Sequence, residues 1–267
     1  MSRIAARLNE SRKRGGGFIP FVTAGDPDAE TSLSICLKLA ELGADVIELG
    51  IPFSDPMADG PTIQRSSQRA LNNGVTLETV IDIGHRLRQQ SDVPLVLFSY
   101  FNPIMSFGID NFIDAVADAD IDGLLLTDVI DDEAAELSAL LAAKNIDLIS
   151  LIAPTTTDQR LKTICSNARA FIYAVSRAGV TGASEATSYD AEKLVKRARQ
   201  FTDLPIAVGF GISTRQQIEE VWKYADAVVV GSAIVAEIEN AKVDAVKHVE
   251  RFVAELLPKF AKGDGDT

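Results

Sequence analysis

The chain has 267 residues, 46% of them hydrophobic, and its 26 basic and 38 acidic residues give a net charge of −12. This hydrophobic content excludes a disordered chain, and the length is normal for a single α/β barrel domain. The acidic balance argues against nucleic acid or an anionic membrane as the main partner, because either would favour a basic surface.

The first segment, residues 1–17, is basic and lacks the apolar stretch of a secretory signal. Ile4 and Leu8 lie one helical turn apart, which predicts a short amphipathic helix over the edge of the core. A transit peptide is the alternative, because acidic residues are few in this segment.

Cysteine usage and hydropathy favour a cytoplasmic location. Cys36 and Cys165 each fall within a helical pattern and form no CxxC motif, so we expect both to be reduced residues in or near the core. No apolar run reaches the ~18 residues of a membrane span.

Short apolar runs recur along the chain and are the predicted strands. They cover residues 18–23, 45–50, 94–100, 121–127, 146–152, 170–175, 204–210 and 226–232. Most are continuous rather than alternating, which is typical of parallel strands covered on both faces. Helical patterns, such as residues 28–44 and 132–146, lie between them. These units predict one (β/α)8 TIM barrel domain over residues 1–267, which includes an extra N-terminal helix; a doubly wound open sheet is the alternative.

Two connections are longer than the rest. The second predicted strand begins at residue 45 and the third at residue 94, which leaves room for an inserted helical segment after strand 2. Residues 176–188, after the sixth strand, are rich in Gly, Ser and Thr and are expected to close over a bound phosphate. In a barrel both connections lie at the carboxyl ends of the strands, where active sites are found.

Three carboxylates, Glu48, Asp55 and Asp59, lie among prolines, glycines and apolar residues, with no basic residue before Arg65. Buried acids without partners are costly, which indicates a chemical use. Side chains alternate along a strand, so Glu48 points into the barrel if Ile47 faces the helices. The alternative is a Glu paired with a nearby Arg or Lys. Asp55 and Asp59 can equally be turn or capping residues, and the pattern alone does not rank them.

Glycines close the last two predicted strands, in residues 209–213 and 231–234. Each segment places a Gly beside a Ser that can cap the following helix, so free N–H groups converge at a helix start. This position matches the usual phosphate site of the barrel fold. We therefore expect a phosphorylated ligand here.

Several other chemistries are not supported. His85 and His248 lie in helical patterns and are expected at the surface, and no spacing of His, Cys and acidic residues predicts a metal site. Lys144, the lysine nearest to a strand end, precedes the fifth strand, which argues against a Schiff-base aldolase. Acid–base work by carboxylates on a phosphorylated substrate with an apolar body remains. Aromatic residues near strand ends are candidates for its pocket or for ordinary packing: Phe21, Phe98, Tyr100, Tyr173 and Phe210.

The segments ELGIPFSDPMADGPTIQ, FVTAGDP, SLIAPTTTDQRL, SRAGVTG and VGFGIS together resemble the α subunit of tryptophan synthase, in order and at matching spacing. The resemblance implies a barrel that cleaves indole-3-glycerol phosphate to indole and glyceraldehyde 3-phosphate without a cofactor of its own. It also implies a partner β subunit, which uses pyridoxal phosphate, in an α2β2 assembly.

This resemblance places the acid–base residue on Glu48 and the second carboxylate on Asp59, and so ranks Asp59 above Asp55. The sequence has the family's aspartate at Asp128. The prolines of the family's loop after strand four are missing in residues 127–137, which puts the rigidity of that loop in doubt. The implied substrate contacts are Phe21, Tyr100, Leu125, Tyr173, Thr181, Gly182, Phe210, Gly211, Gly231 and Ser232.

Apolar residues on two predicted loops indicate a partner surface. Pro52 and Met57 follow the second strand, and Ile104 follows the third. Apolar residues that cannot all reach the core and share an exposed patch mark an interface, unless they cover one another as a local cap. The resemblance makes this face, together with Asp55, the docking site of the β subunit.

Two other functions remain as alternatives. A non-catalytic relative that only activates a partner is disfavoured by the presence of both Glu48 and Asp59. A different phosphate-binding barrel enzyme, such as indole-3-glycerol phosphate synthase, would require a lysine acid near the mouth of the barrel, and none is predicted there.

Overall fold

Eight parallel strands close into a barrel in which each strand pairs with its neighbours in chain order and β8 returns to β1. The computed structural model describes residues 2–175, 185–209, 211–241 and 243–258. Within these ranges, residues 131–132 and 185–189 are described by their backbone alone. This architecture confirms the predicted (β/α)8 barrel rather than an open sheet. The strands are β1 (Gly17–Thr23), β2 (Ile47–Gly50), β3 (Leu95–Ser99), β4 (Gly123–Leu126), β5 (Asp147–Ile152), β6 (Ile172–Val175), β7 (Ile206–Gly209) and β8 (Ala227–Val230).

Helices surround the barrel, and two features of their arrangement were predicted. Ile4 and Leu8 of the N-terminal helix are fully buried among the inward-facing strand residues, so this helix closes one end of the barrel. Two helices, residues 61–72 and 77–88, form the inserted segment between β2 and β3. The helices in the described residues are α1 (Arg3–Lys13), α2 (Ala29–Glu41), α3 (Pro61–Asn72), α4 (Leu77–Arg88), α5 (Phe101–Phe107), α6 (Ile109–Asp118), α7 (Asp131–Ala143), α8 (Asp158–Asn167), α9 (Glu185–Ala198), α10 (Arg215–Val221), α11 (Ser232–Asn240) and α12 (Ala245–Leu256).

Strand alternation decides which side chains reach the barrel axis. Ile47 and Leu49 belong to the large outer core between the strands and the helices, whereas Val46 belongs to the inner cluster. Glu48 lies two residues after Val46 and therefore points to the same, inner side of the barrel. In the strand register it lies opposite Phe21 of β1 and Val96 of β3. The predicted inward direction of Glu48 is therefore confirmed.

Aspartates fix the amino ends of the strands. Asp45, Asp122 and Asp226 precede the even-numbered strands β2, β4 and β8, and each carboxylate accepts a hydrogen bond from an amide of the preceding odd-numbered strand, at 3.0, 2.8 and 2.7 Å. Each also pairs with an arginine. These charge-assisted contacts hold adjacent strands in register at the end opposite the candidate site.

Both cysteines are free and buried, as predicted. Burial raises the pKa of the Cys36 thiol to about 12, so this thiol is protonated and unreactive at neutral pH. None of the described helices combines the length and apolar character needed to cross a bilayer.

Candidate active site

A cavity of about 350 Å³ opens at the carboxyl ends of the strands, the face on which barrel enzymes carry their active sites. Residues from all eight strand ends contribute to it, together with the connection between β2 and α3. Its wall residues are Phe21, Glu48, Ala58, Asp59, Gly60, Ile63, Phe98, Thr127, Leu151, Tyr173, Val175, Gly209, Gly211, Val229, Gly231 and Ser232.

Glu48 is the most unusual side chain of this cavity. It is fully buried, and neither carboxylate oxygen has a hydrogen-bond partner among the described residues. Burial without a compensating positive charge raises its pKa to about 8, because the charged form loses its solvation. The described residues therefore do not support the alternative of Glu48 as half of an ion pair. At neutral pH the group is mostly protonated and can both give and take a proton.

Asp59 lies on the same cavity, in the connection that leads from β2 into α3. Burial raises its pKa to about 6, and a hydrogen bond with the Tyr100 hydroxyl opposes that rise. The Asp59 carbonyl also accepts a hydrogen bond from the Gln64 side chain at 2.9 Å. Asp59 thus stays ionised at neutral pH while Glu48 stays mostly protonated. Such a difference in pKa is expected of a proton donor and an anionic stabiliser in one site.

Two tyrosines stand close to these acids. The Tyr100 hydroxyl accepts a hydrogen bond of 2.8 Å from the Ala58 amide. Tyr173 is buried, and its desolvation together with the nearby charges of Glu48 and Asp59 holds its pKa well above the ordinary value. A Cβ at Gly209 would lie 2.3 Å from the Tyr173 hydroxyl, so only glycine permits this approach.

Another part of the cavity wall can hold an anion. Helix α11 begins there at Ser232, and its N-cap residue, Gly231, has no side chain to bond the first amides. Unpaired amides at a helix start are a ready anion site. The capping role predicted for the serines is wrong, because Thr214 and not Ser213 caps α10, in a capping box with Gln217, and Ser232 is already helical.

The substrate contacts implied by resemblance divide into three groups. Phe21, Tyr173, Gly211, Gly231 and Ser232 line the cavity. Tyr100 accepts a hydrogen bond from the Ala58 amide and Leu125 is fully buried in the inner cluster, and neither is among the residues that line the cavity. Thr181, Gly182 and Phe210 lie outside the described residues, as do residues 176–184 of the loop expected to close over phosphate.

Sequence reasoning did not select Ile63, Thr127 and Leu151 among the wall residues. Leu151 lies on β5, two residues after the inward-facing Ile149, so strand alternation was a usable signal. Ile63 reaches the cavity from the first turn of α3, which no local pattern indicates.

The predicted partner surface requires a correction. FNPIMSF forms helix α5 rather than a loop, and this directs Ile104 into the core, where it is fully buried. Pro52 is buried as well. Asp55 and Met57 are exposed as expected, Met57 to 93%, and Met105 beside Ile104 is 57% exposed.

A larger cavity of about 530 Å³ lies around the amino ends of β4 and β5. Its acids and bases balance, and its wall has little apolar surface, so it lacks the chemistry of the first cavity. Its charged residues are Arg3, Asp120, Asp122, Lys144, Asp147 and Arg169. In the part of the chain that the structure describes, no cluster of His, Cys, Asp and Glu is arranged to hold a metal ion.

Comparison with known proteins gives consistent matches. The family model described as "Tryptophan synthase alpha chain" matches residues 7–262. The chain is 45% identical over 265 residues to the tryptophan synthase alpha chain of Citrifermentans bemidjiense, covering 98% of this chain and 99% of the relative. It is 48% identical over 240 residues to that of Caulobacter vibrioides, covering 90% and 86%.

Solved structures agree with the sequence matches. A tryptophan synthase structure from Mycobacterium tuberculosis superposes with a TM-score of 0.87 at 34% identity, covering 96% of each chain. A tryptophan synthase α-subunit from Pyrococcus furiosus superposes with a TM-score of 0.84 at 40% identity, covering 90% of this chain and 97% of the other.

Proposed function

Because this chain belongs to the tryptophan synthase alpha chain family, which cleaves indole-3-glycerol phosphate, we propose that Glu48 and Asp59 perform the acid–base chemistry of that reaction. The observation that carries this proposal is the buried carboxyl group of Glu48 in the cavity, which has no partner among the described residues and a pKa of about 8. The chain partners with a β subunit in an α2β2 complex, and pyridoxal phosphate belongs to the β subunit.

Cleavage breaks the bond between indole C3 and the first carbon of the glycerol chain. Glu48, protonated at neutral pH, gives its proton to C3, and the ring becomes a cation with its charge spread onto the ring nitrogen. The hydroxyl on the first glycerol carbon then loses its proton to the Glu48 carboxylate while the carbon–carbon bond breaks. Indole and glyceraldehyde 3-phosphate leave, and Glu48 is protonated again.

Asp59 has a different role in this scheme. Its carboxylate is ionised at neutral pH and fixed in a partly dry site, where it stabilises the positive charge that develops on the indole ring. Exchange of a water shell for a prearranged anion lowers the barrier without reorganisation during the reaction. No basic side chain of the described residues pairs with either carboxylate, which is consistent with the raised pKa of Glu48.

The phosphate of the substrate fits the other end of the cavity. Amides at the start of α11, beside Gly231 and Ser232, supply hydrogen-bond donors and the positive end of the helix dipole. Phe21, Phe98 and Tyr173 give the cavity the apolar walls that an indole ring requires.

We also propose that the protein acts in the cytoplasm. Its two cysteines are buried and free, and its biosynthetic family uses small phosphorylated metabolites. Fractionation of the source cells with a cytoplasmic marker enzyme tests this assignment, and recovery with a membrane or extracellular fraction contradicts it.

Isosteric substitutions test the catalytic assignment. We expect Glu48→Gln and Asp59→Asn each to lower indole release from indole-3-glycerol phosphate by at least ~10²-fold, because each removes a charge or proton that the transition state uses. Asp55→Asn is the matched control: Asp55 is exposed on the same loop and contacts Ser54 rather than the cavity. Near-normal turnover in Glu48→Gln, or a larger loss in Asp55→Asn than in Asp59→Asn, removes the assignment.

A further inference from the structure

Helices α3 and α11 each begin at the wall of the proposed site. Helix α3 begins at Pro61, directly after Asp59 and Gly60, whereas α11 begins at Ser232, where the phosphate is proposed to bind. The two helices pack together at the cavity wall, where Ile63 and Val235 form a buried cluster with Phe21. Their relative position therefore sets the distance between the acid and the phosphate site.

An ion-pair network joins the same two helices farther from the cavity. The carboxylate of Glu239 on α11 accepts two hydrogen bonds of 2.7 Å from Arg65 and one of 2.7 Å from Arg69, both on α3. Arg69 also donates two bonds, of 2.9 and 2.8 Å, to Asp26 in the connection after β1. We call these four residues the α3–α11 network. None of them lines the cavity.

Burial and paired hydrogen bonds hold the α3–α11 network in one arrangement. The Asp26 side chain has no exposed surface, so its charge must remain paired with Arg69. The forks of Arg65 and Arg69 bind carboxylates through parallel bonds, which fix orientation as well as distance. The arginines lower the pKa of Glu239 to about 2, so the network is fully charged throughout the neutral range.

A partly exposed ion pair adds little to the stability of a fold. The Arg65–Glu239 pair is of this kind, with the two side chains 55% and 26% exposed. It nevertheless spans the two helices that begin at the proposed acid and the proposed phosphate site. Its value therefore lies in the position of the helices more than in the free energy of unfolding.

We propose that the α3–α11 network, through Glu239, sets the separation between Asp59 and the phosphate-binding start of α11, and so matches the cavity to the length of its substrate. Glu239 is a positioning residue, because it touches neither the substrate nor the acids. This inference rests on the proposed function. A ligand that occupies both ends of the cavity senses that separation, whereas a ligand that occupies one end does not.

Three ligands separate positioning from a general structural role. Glycerol 3-phosphate occupies the phosphate end, indole occupies the ring end, and an uncleavable indole–propyl–phosphate analogue occupies both. We expect Glu239→Gln to bind the two single-ended ligands within about twofold of the wild-type chain. We expect it to bind the double-ended analogue roughly tenfold more weakly and to lose roughly tenfold in kcat/KM, since misplacement by ~1 Å costs up to ~10²-fold.

Glu30→Gln is the matched control. It breaks the Arg86–Glu30 pair, which has the same double geometry at 2.7 and 2.7 Å but joins α4 to α2, away from the cavity. We expect this control to bind all three ligands like the wild type. Arg65→Gln is the second variant, because it leaves the buried Asp26–Arg69 pair intact and so protects the fold.

The result that overturns the inference is equally specific. The proposed role of Glu239 is contradicted if Glu239→Gln and Arg65→Gln behave like Glu30→Gln, or if they lose affinity for all three ligands to the same extent. A wild-type chain that releases no indole is a failure of the proposed function instead, and the two failures are thereby distinguished.

Discussion

The hydroxyl of Tyr100 accepts a hydrogen bond of 2.8 Å from the amide of Ala58, so a side chain at the end of β3 holds the loop that carries Asp59. The Phe53 ring, from the same loop, packs on Tyr100 with the ring centroids 5.2 Å apart. A second bond reaches the loop from the Gln64 side chain, which donates to the Asp59 carbonyl. The position of Asp59 thus depends on contacts made after β3 and within α3.

Replacing Tyr100 by Phe removes the hydroxyl and leaves the ring. The lost hydrogen bond costs about 1 kcal/mol, or about a fivefold loss of the productive loop position. Because the Tyr100 hydroxyl lowers the pKa of Asp59, its removal should raise that pKa above 6 and move the acidic limb of the kcat/KM profile to higher pH. Tyr173→Phe is the control: it removes a phenol from the cavity without touching the loop. An unmoved acidic limb in Tyr100→Phe would contradict this prediction.

Activity of the isolated chain should follow a bell-shaped pH profile. Asp59 must be ionised, so kcat/KM should fall as the pH drops through about 6. Glu48 must be protonated to give its proton to C3, so kcat/KM should fall as the pH rises through about 8. Steady-state assays of indole release in a series of buffers measure both limbs. A flat profile across this range would show that neither group titrates as assigned.

Glu48 should also make the stability of the fold depend on pH. Its pKa is about 8 when folded against an ordinary value of 4.5, so the folded state holds a proton that the unfolded chain releases. Stability from this group is complete below about 4.5 and is lost as the pH rises through about 8.

Glu48→Gln lacks this titration and should therefore be more stable than the wild type at alkaline pH, by on the order of a few kcal/mol, with a smaller difference near pH 5. Urea unfolding of both proteins at about pH 5 and about pH 9 measures the difference. A gap between the two proteins that does not change with pH would refute the raised pKa. The same substitution is thus expected to lower turnover and to stabilise the fold, as for a functional group held at a cost.

Two exposed methionines, Met57 in the loop that carries Asp59 and Met105 in α5, are the predicted contacts with the β subunit. Met57 is 93% exposed and Met105 is 57% exposed. We expect Met57→Asp and Met105→Asp each to weaken binding to the β subunit by roughly tenfold or more, because a charge would be buried in an apolar contact. They should also reduce the stimulation of indole release by that subunit.

Titration of the β subunit against each variant measures both effects. Val243→Asp is the control, since Val243 is 81% exposed in the connection between α11 and α12. Ile104→Asp cannot serve here, because its side chain is fully buried and the change would damage the core. Normal affinity in both methionine variants would place the interface on another face.

Local patterns in the sequence were sufficient to predict the barrel and the inward direction of Glu48. Continuous apolar runs separated by helical patterns define parallel strands covered by helices, and alternation along β2 sends Glu48 inward. Both are short-range properties, because strand direction and side-chain alternation follow from the backbone itself. Asp59 was separated from Asp55 by resemblance alone, since either residue suits a turn.

Only the tertiary structure decided the surroundings of these groups. The pKa of Glu48 depends on burial without a partner among the described residues, and that of Asp59 depends on burial and on Tyr100. Ile104 was misplaced because its segment forms a helix that turns the side chain inward. Arg69 meets Glu239 only because α3 and α11, far apart in sequence, become neighbours when the barrel closes. Contacts of this kind depend on closure of the whole barrel, and no local pattern in the sequence records them.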